Sequence, residues 1–345
     1  MNFVHTPSIT HRVLGLAIFI ASTLSLSIAV VGNAHACAAC GDSLSTDWAI
    51  QGVSTTPGFI ADLSHSYINQ NQQRYGTSKA SPALISSLRG AGQEIEDYTK
   101  TQTVTASLNY TNDTWGVNTQ LPFIRRTHGT FGEEENNYGS SSSSNLGDVR
   151  VIGRYTGLSV DRTAGIIAGL KLPTGSTNTK FSGGTPGLIN TSLDRALQNG
   201  TGSTDLIMGG FLSGAAGRYG WFAQGTLQHA VSTKTINGLD YRPGDAYVLN
   251  TGMRYAKFGS QFTPMLQLMY THRRPDTGAG ASPADSLTQG PSTGGTLVHL
   301  APGATIRIGG GTSVYGFIQL PVYQNVNSLQ LGANYTLTLG IRHSF

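Results

Sequence analysis

The sequence predicts an all-β chain closed into an antiparallel transmembrane β-barrel of about twelve strands, preceded by a cleaved signal peptide. Three observations predict it. Short segments alternate strictly between apolar and polar residues, the connections between them alternate between short and long, and the chain closes on an aromatic residue, Phe345. Alternation of period two marks a strand with one apolar and one polar face. In Thr101–Tyr110 the residues Val104, Ala106, Leu108 and Tyr110 share one face, and Thr103, Thr105, Ser107 and Asn109 the other. A strand buried on both sides would read instead as an unbroken apolar run.

Twelve such segments follow one another: 58–69, 99–111, 115–125, 147–156, 163–173, 202–213, 220–231, 245–256, 262–273, 295–308, 312–321 and 331–345. Short turns (112–114, 157–162, 214–219, 257–261 and 309–311) take turns with longer polar stretches (70–98, 126–146, 174–201, 232–244, 274–294 and 322–330). Outer-membrane barrels have short periplasmic turns and long external loops, whereas a soluble sandwich has no reason to alternate its loop lengths. Pro122, Pro173, Pro264 and Pro321 fall near strand ends, where a missing N–H is tolerated. Tyr67, Tyr110, Trp115, Phe123, Tyr155, Trp221, Tyr255 and Tyr335 also gather toward segment ends, as an interfacial aromatic girdle requires. The serine run Ser140–Ser144 reads as external loop.

Composition agrees. Charged residues are 12% of the chain, against about 25% in ordinary soluble proteins, and glycines number 45. A barrel tolerates this because one face of each strand meets lipid and the other a polar lumen. The net charge of +4 and the lack of basic runs interleaved with aromatics give no reason to expect a nucleic-acid partner.

Residues 1–36 read as the signal peptide: Arg12, an apolar stretch from Val13 to Val31, and the small-residue exit Ala34-His35-Ala36. A membrane helix is the alternative for the apolar stretch, and lipidation of Cys37 a further one, disfavoured by Ala34 and His35. Residues 37–57 would then form an N-terminal periplasmic segment and 58–345 the barrel. The location expected is the outer membrane of a Gram-negative bacterium, with its lipid as one partner.

The C-terminal stretch Thr338-Leu-Gly340-Ile-Arg-His-Ser-Phe345 resembles the signal that bacterial barrel-assembly machinery reads. Thr338, Gly340 and Phe345 match it, and His343 departs from it. The resemblance implies that machinery as a partner. Segments 147–157 (GDVRVIGRYTG), 169–176 (GLKLPTGS), 200–210 (GTGSTDLIMGG) and 221–225 (WFAQG) resemble barrels of the phenol-degradation meta-pathway family. That resemblance covers about half of the mature chain and implies a transporter for aromatic or other small molecules.

Two constellations could carry function. The first is Cys37-Ala-Ala-Cys40, the only cysteines. In an oxidising periplasm such a pair closes a disulfide; reduced, it could hold a soft metal such as Cu(I). No other cofactor is expected, and without a histidine after Cys40 the haem-attachment pattern is absent. The second is the set of charges on the faces opposite the apolar ones: Asp62, Asp148, Arg150, Arg154, Asp205, Asp245, Arg254, Arg307 and Arg342. An arginine facing lipid near the midplane costs about 2–4 kcal/mol, so these are expected to line the lumen. They would form either a salt-bridged plug or a polar pore favouring anionic or polarisable solutes. No G-x-S-x-G elbow or H-E-x-x-H occurs, and the Leu172–Gly175 string LPTG is internal, so no enzyme is expected.

The expectation is therefore an outer-membrane channel passing small solutes by diffusion through a narrow lumen, gated by loops 70–98 and 174–201. Twelve strands make a narrower barrel than the sixteen or so of open aqueous porins. The alternatives are a non-conducting scaffold or interaction barrel, and metal or redox handling through the cysteine pair.

Overall fold

The computed structural model describes residues 57–132, 137–256 and 261–345. The expected signal peptide, Cys37 and Cys40 lie outside the described residues. Fourteen strands are found there, all pairing antiparallel. Eleven form a closed wall: β1 (Gly58–Gly76), β3 (Ile95–Thr111), β4 (Trp115–Phe131), β6 (Val149–Tyr155), β7 (Ala164–Leu172), β9 (Ser203–Ala216), β10 (Tyr219–Thr233), β11 (Ala246–Tyr255), β12 (Phe262–Arg273), β13 (Gly295–Gly309) and β14 (Thr312–Ser344). Each pairs with the next in this order, and β14 pairs with β1 to close the ring.

The expected count of about twelve differs by one because 312–321 and 331–345 belong to one element. β14 runs along β13 from Thr312 to Val326, then folds back along β1, with Leu329 opposite Tyr75 and Ser344 opposite Ile60. Ser328, at φ 56°, stands where the direction reverses. The last residue is tied to the start of the barrel by Phe345 N–H donating to the Phe59 carbonyl at 2.9 Å. Closure leaves the wall without the unpaired edge that an open sheet would expose to lipid.

Three further strands lie beyond the wall: β2 (Ser78–Lys79), β5 (Tyr138–Leu146) and β8 (Gly183–Gly184). β5 contains the serine run expected as loop. It pairs with the extended end of β4, Arg126 opposite Ser143 and His128 opposite Ser141. Serine on both faces gives no hydrophobic alternation, so the pattern that marks the other strands is missing here. The 70–98 stretch is also ordered. It carries the helix α1 (Pro82–Gly90), capped by Ser81 Oγ accepting from Leu84 N–H at 3.2 Å, with proline in its first turn. α1 packs Leu88 against Ile95 and Leu329. Among the described residues no helix is long and apolar enough to cross a membrane.

The wall has an apolar outside. Leu63, Leu108, Leu121, Ile166, Leu212, Leu249, Leu268 and Leu339 are all exposed, while the residues between them on the same strands are mostly buried and polar, such as Ser66, Ser107, Asn118, Asp205, Asn250, Gln267 and Thr338. That is a soluble protein turned inside out, and lipid is the solvent that makes it favourable.

Candidate solute pathway

The expected lumen residues fall into four groups. Asp62, Asp148, Arg154 and Asp205 are buried. Arg150 lines an interior cavity of about 140 Å3 together with Asp148 and Asp205. Arg254, Arg307 and Arg342 keep the register of the inward residues on their strands but stand toward the short-turn end, where Arg254 and Arg307 are exposed. Asp245 differs. It precedes β11 in register with the outward Tyr247 and Leu249, and its carboxylate meets His229 Nδ1 at 2.7 Å and Arg274 Nη1 at 3.5 Å. The sequence pattern put it on the wrong face because the alternation has no anchor in the polar loop just before a strand.

The charged heart of the interior is a group only partly anticipated. Lys171 on β7 sits between two carboxylates, with Nζ 2.8 Å from Asp205 and 3.4 Å from Asp148, all three side chains buried. Asp148 also accepts from the Gly175 N–H (3.0 Å), the Thr201 N–H (2.9 Å) and Thr201 Oγ1 (2.7 Å). Asp205 accepts from Ser203 Oγ and Gln228 Nε2, both at 2.6 Å. Buried charge is tolerated only when paired and hydrogen-bonded, and this network meets that condition. Lys171 lies between the apolar Leu170 and Leu172, a signal that could have placed it among the inward charges.

The second unanticipated residue is Arg126 on β4. Its Nη1 donates to the carbonyls of Leu197 (2.6 Å) and Gln198 (3.0 Å), and its Nε to Thr101 Oγ1 (3.3 Å). Asn199 adds a bond from Nδ2 to the Ile124 carbonyl and accepts from Ser143 Oγ, both at 3.0 Å. The loop between β7 and β9 is thus drawn inward onto the wall through a single 3-10 turn, Arg195–Leu197. Leu197 is fully buried with Phe181 and Leu193. Gln198 stitches the loop to itself through the Thr179 N–H (2.7 Å), the Thr179 carbonyl (3.0 Å) and the Leu193 carbonyl (2.8 Å). Arg126, Ala196, Gln198, Asn199 and Thr201 border the same cavity as Asp148, Arg150 and Lys171.

Above the cavity the loop meets its neighbours. Ser282 Oγ donates to Asp194 at 2.8 Å, Tyr241 Oη to Asp276 at 3.0 Å, and the Arg195 guanidinium lies over the Tyr241 ring at 5.2 Å. Burial, with the nearby Asp276, pushes the Asp194 carboxyl up to about 7, partly offset by the Ser282 hydrogen bond. Burial and Asp276 likewise raise the Tyr241 phenol well above its ordinary value.

Toward the short turns the interior becomes apolar on one side. Phe222, Met265, Ala301, Tyr315 and Phe317, from β10, β12, β13 and β14, form one buried cluster. Tyr315 turns its hydroxyl to Asp62 at 3.1 Å, and Arg342, paired opposite Asp62, lies over its ring at 5.1 Å. Facing glycines make room for the arginines: a Cβ at Gly116 would come 2.8 Å from Arg154 Nε, and one at Gly220 2.6 Å from Arg254 Nε.

No protein-family model matches the chain, and no curated protein matches it either. Solved structures do. An outer-membrane channel from Pseudomonas putida F1 superposes with a TM-score of 0.58 at 12% identity, over 85% of this chain and 97% of that one. Weaker likenesses include the translocator domain of the autotransporter NalP from Neisseria meningitidis (TM-score 0.47, 9% identity, 86% and 92% covered). Another is the toluene transporter TbuX from Ralstonia pickettii (0.42, 10%, 90% and 97%). At 12% identity the first likeness is one of fold, and with the apolar outer wall it makes this chain an outer-membrane β-barrel.

Proposed function

We propose that this barrel is a narrow, loop-constricted channel through which small solutes diffuse across the outer membrane. The observation that carries the reading is the charged cavity itself. Lys171, Asp148, Asp205, Arg126 and Arg150 converge on open space, which a barrel packed shut would fill with side chains. The loop 174–201 supplies the constriction. The fold likeness to an outer-membrane channel supports the same reading. The sequence resemblance to the meta-pathway family supports aromatic solutes, and the arginines favour those carrying negative charge. The strand ending in Phe345 would be the part offered to the assembly machinery, and no reaction is assigned to the chain.

A second reading has its own observation. The cluster around Phe222 and Phe317 fills part of the short-turn half, as a closed scaffold barrel would require. Single-channel recording of the purified, refolded protein in planar bilayers separates the two. Discrete conductance steps that change size in Arg126→Ala support the channel; a silent bilayer with both proteins leaves the scaffold.

A further inference from the structure

The outward surface carries a polar cluster that the lumen reading does not use. On β12 the outward residues Phe262, Leu266, Leu268 and Tyr270 are exposed. From Phe262 to Tyr270 is eight residues, about 26 Å along a strand, which at the usual tilt of about 40° covers about 20 Å of the roughly 25 Å of height expected for the apolar band. The band ends one outward pair further on. The next outward pair is Tyr247 opposite His272, and directly above it stand Asp245, Arg274, His229 and Arg242.

These groups are held in place. Arg242 Nη2 meets His229 Nε2 at 2.8 Å, and His229 Nδ1 meets Asp245 Oδ1 at 2.7 Å. Arginine can only donate, so His229 Nε2 accepts from Arg242 and Nδ1 faces Asp245. Arg274 reaches Asp245 Oδ2 with Nη1 at 3.5 Å and lies over the Tyr247 ring at 5.7 Å. The backbone is pinned as well. Arg242 and Thr277 exchange two main-chain bonds, and Arg274 N–H donates to the Asp245 carbonyl at 2.9 Å.

The charge sum is +1, two arginines against one carboxylate, and each guanidinium has five N–H groups. Arg242 spends one nitrogen on His229, and Arg274 spends one on Asp245. The Arg274 side chain is 61% exposed. Both arginines are exposed, beyond the paired outward residues Leu249 and Tyr270. A ligand that fits must carry negative charge at one end and acyl chains at the other.

We propose that Arg242 and Arg274 form a binding site for the phosphate of a phosphorylated lipid in the outer leaflet, its acyl chains lying along Leu249, Leu268 and Tyr270. Arginine forks match phosphate oxygens, and such bonds are charge-assisted on both sides. Asp245 and His229 act as positioning residues, holding the two guanidinium groups apart and upright.

The test uses the full-length barrel in detergent, with bisphosphorylated hexa-acyl lipid A as the probe and binding followed by native mass spectrometry. The wild-type protein is expected to retain lipid A and to lose it when the phosphates are removed enzymatically. One cation near an anionic membrane surface contributes roughly fivefold, so the double variant Arg242→Ala, Arg274→Ala is expected to bind roughly twenty-fivefold more weakly. Arg218→Ala, in the short turn at the other end of the barrel, removes one arginine charge away from the site and is expected to change nothing. Should the double variant misassemble, Arg242→Lys with Arg274→Lys keeps the charge and is expected to retain intermediate binding. Equal binding of dephosphorylated lipid A, or full binding by the alanine variant, overturns the proposal. So does displacement of the lipid by millimolar inorganic phosphate, which would make the site one for free phosphate.

Discussion

Arg126 and Leu197 are 71 residues apart, yet Arg126 Nη1 lies 2.6 Å from the Leu197 carbonyl oxygen. One wall side chain thereby holds the turn that narrows the interior, with a second bond to Gln198. A hydrogen bond to a charged group contributes about 1.5–3 kcal/mol. Losing about 2 kcal/mol multiplies the population of a released loop about thirtyfold. Arg126→Ala is therefore expected to give larger conductance steps in planar bilayers, with the wall intact by heat-modifiability on gels. An unchanged step size would mean that the constriction does not depend on this clamp.

Lys171 has a different task. It neutralises one of two buried carboxylates, leaving a net charge of −1 for the three side chains. Lys171→Met would leave both acids without their cation, and breaking a buried pair from one side costs about 3–5 kcal/mol. The variant is expected to unfold at a lower temperature and, where it folds, to shift its reversal potential toward cations. Adding Asp205→Asn removes one stranded charge and is expected to recover much of the stability. A double variant no more stable than Lys171→Met would count against the triad as an electrostatic unit.

Asp194 gives the loop a pH dependence. Its carboxyl is raised to about 7 where Ser282 and Asp276 face it, with Arg195 beside it and Tyr241 under Arg195. The residue as a whole is only half-buried, so ionisation is costly but not forbidden. An acid raised in the packed state binds its proton more tightly there than when released. Packing is thus fully favourable below the ordinary value of 3.8, weakens as pH climbs toward about 7, and loses nothing more beyond. Conductance is expected to rise between pH 4 and 7 and then level off. Asp194→Asn, always neutral, is expected to hold the low-pH behaviour throughout; a variant that still follows pH would assign the effect to other groups.

Much of this architecture is legible in the sequence. Residues such as Val104, Leu108 and Tyr110 declare their outward face because lipid and lumen impose opposite demands on neighbours, and ten of the twelve expected segments each fall on a single wall strand, although β1 and β4 run on to Gly76 and Phe131, beyond the expected ends at 69 and 125. What escaped has physical causes. Ser140–Ser144 forms a strand whose two faces are both polar. Phe222 and Phe317 point inward although they are aromatic, so hydrophobicity alone misassigns them. The bonds from Arg126 to Leu197 and from Asp194 to Ser282 join distant positions through loops, where no periodicity constrains the chain. Asp245 sits just before its strand begins, where a slip of one residue exchanges the inward face for the outward one.

Gly340 stands in the last strand of the wall. It belongs to the C-terminal pattern that resembles an assembly signal, but its place in the wall is also against Tyr315. A Cβ there would stand 2.3 Å from Tyr315 Cζ and 2.4 Å from its Oη. The ring cannot yield freely, because its hydroxyl bonds Asp62 and its other face meets Arg342. Gly340→Val is expected to push Tyr315 off Asp62 and lower stability by roughly 1–3 kcal/mol, the usual cost of overpacking. Tyr315→Ala should relieve the clash, so the double variant Gly340→Val, Tyr315→Ala is expected to be no less stable than Tyr315→Ala alone, measured by urea unfolding in lipid. If Gly340→Val instead leaves the refolded barrel unaltered but abolishes its insertion in cells, the glycine acts through recognition and not through packing.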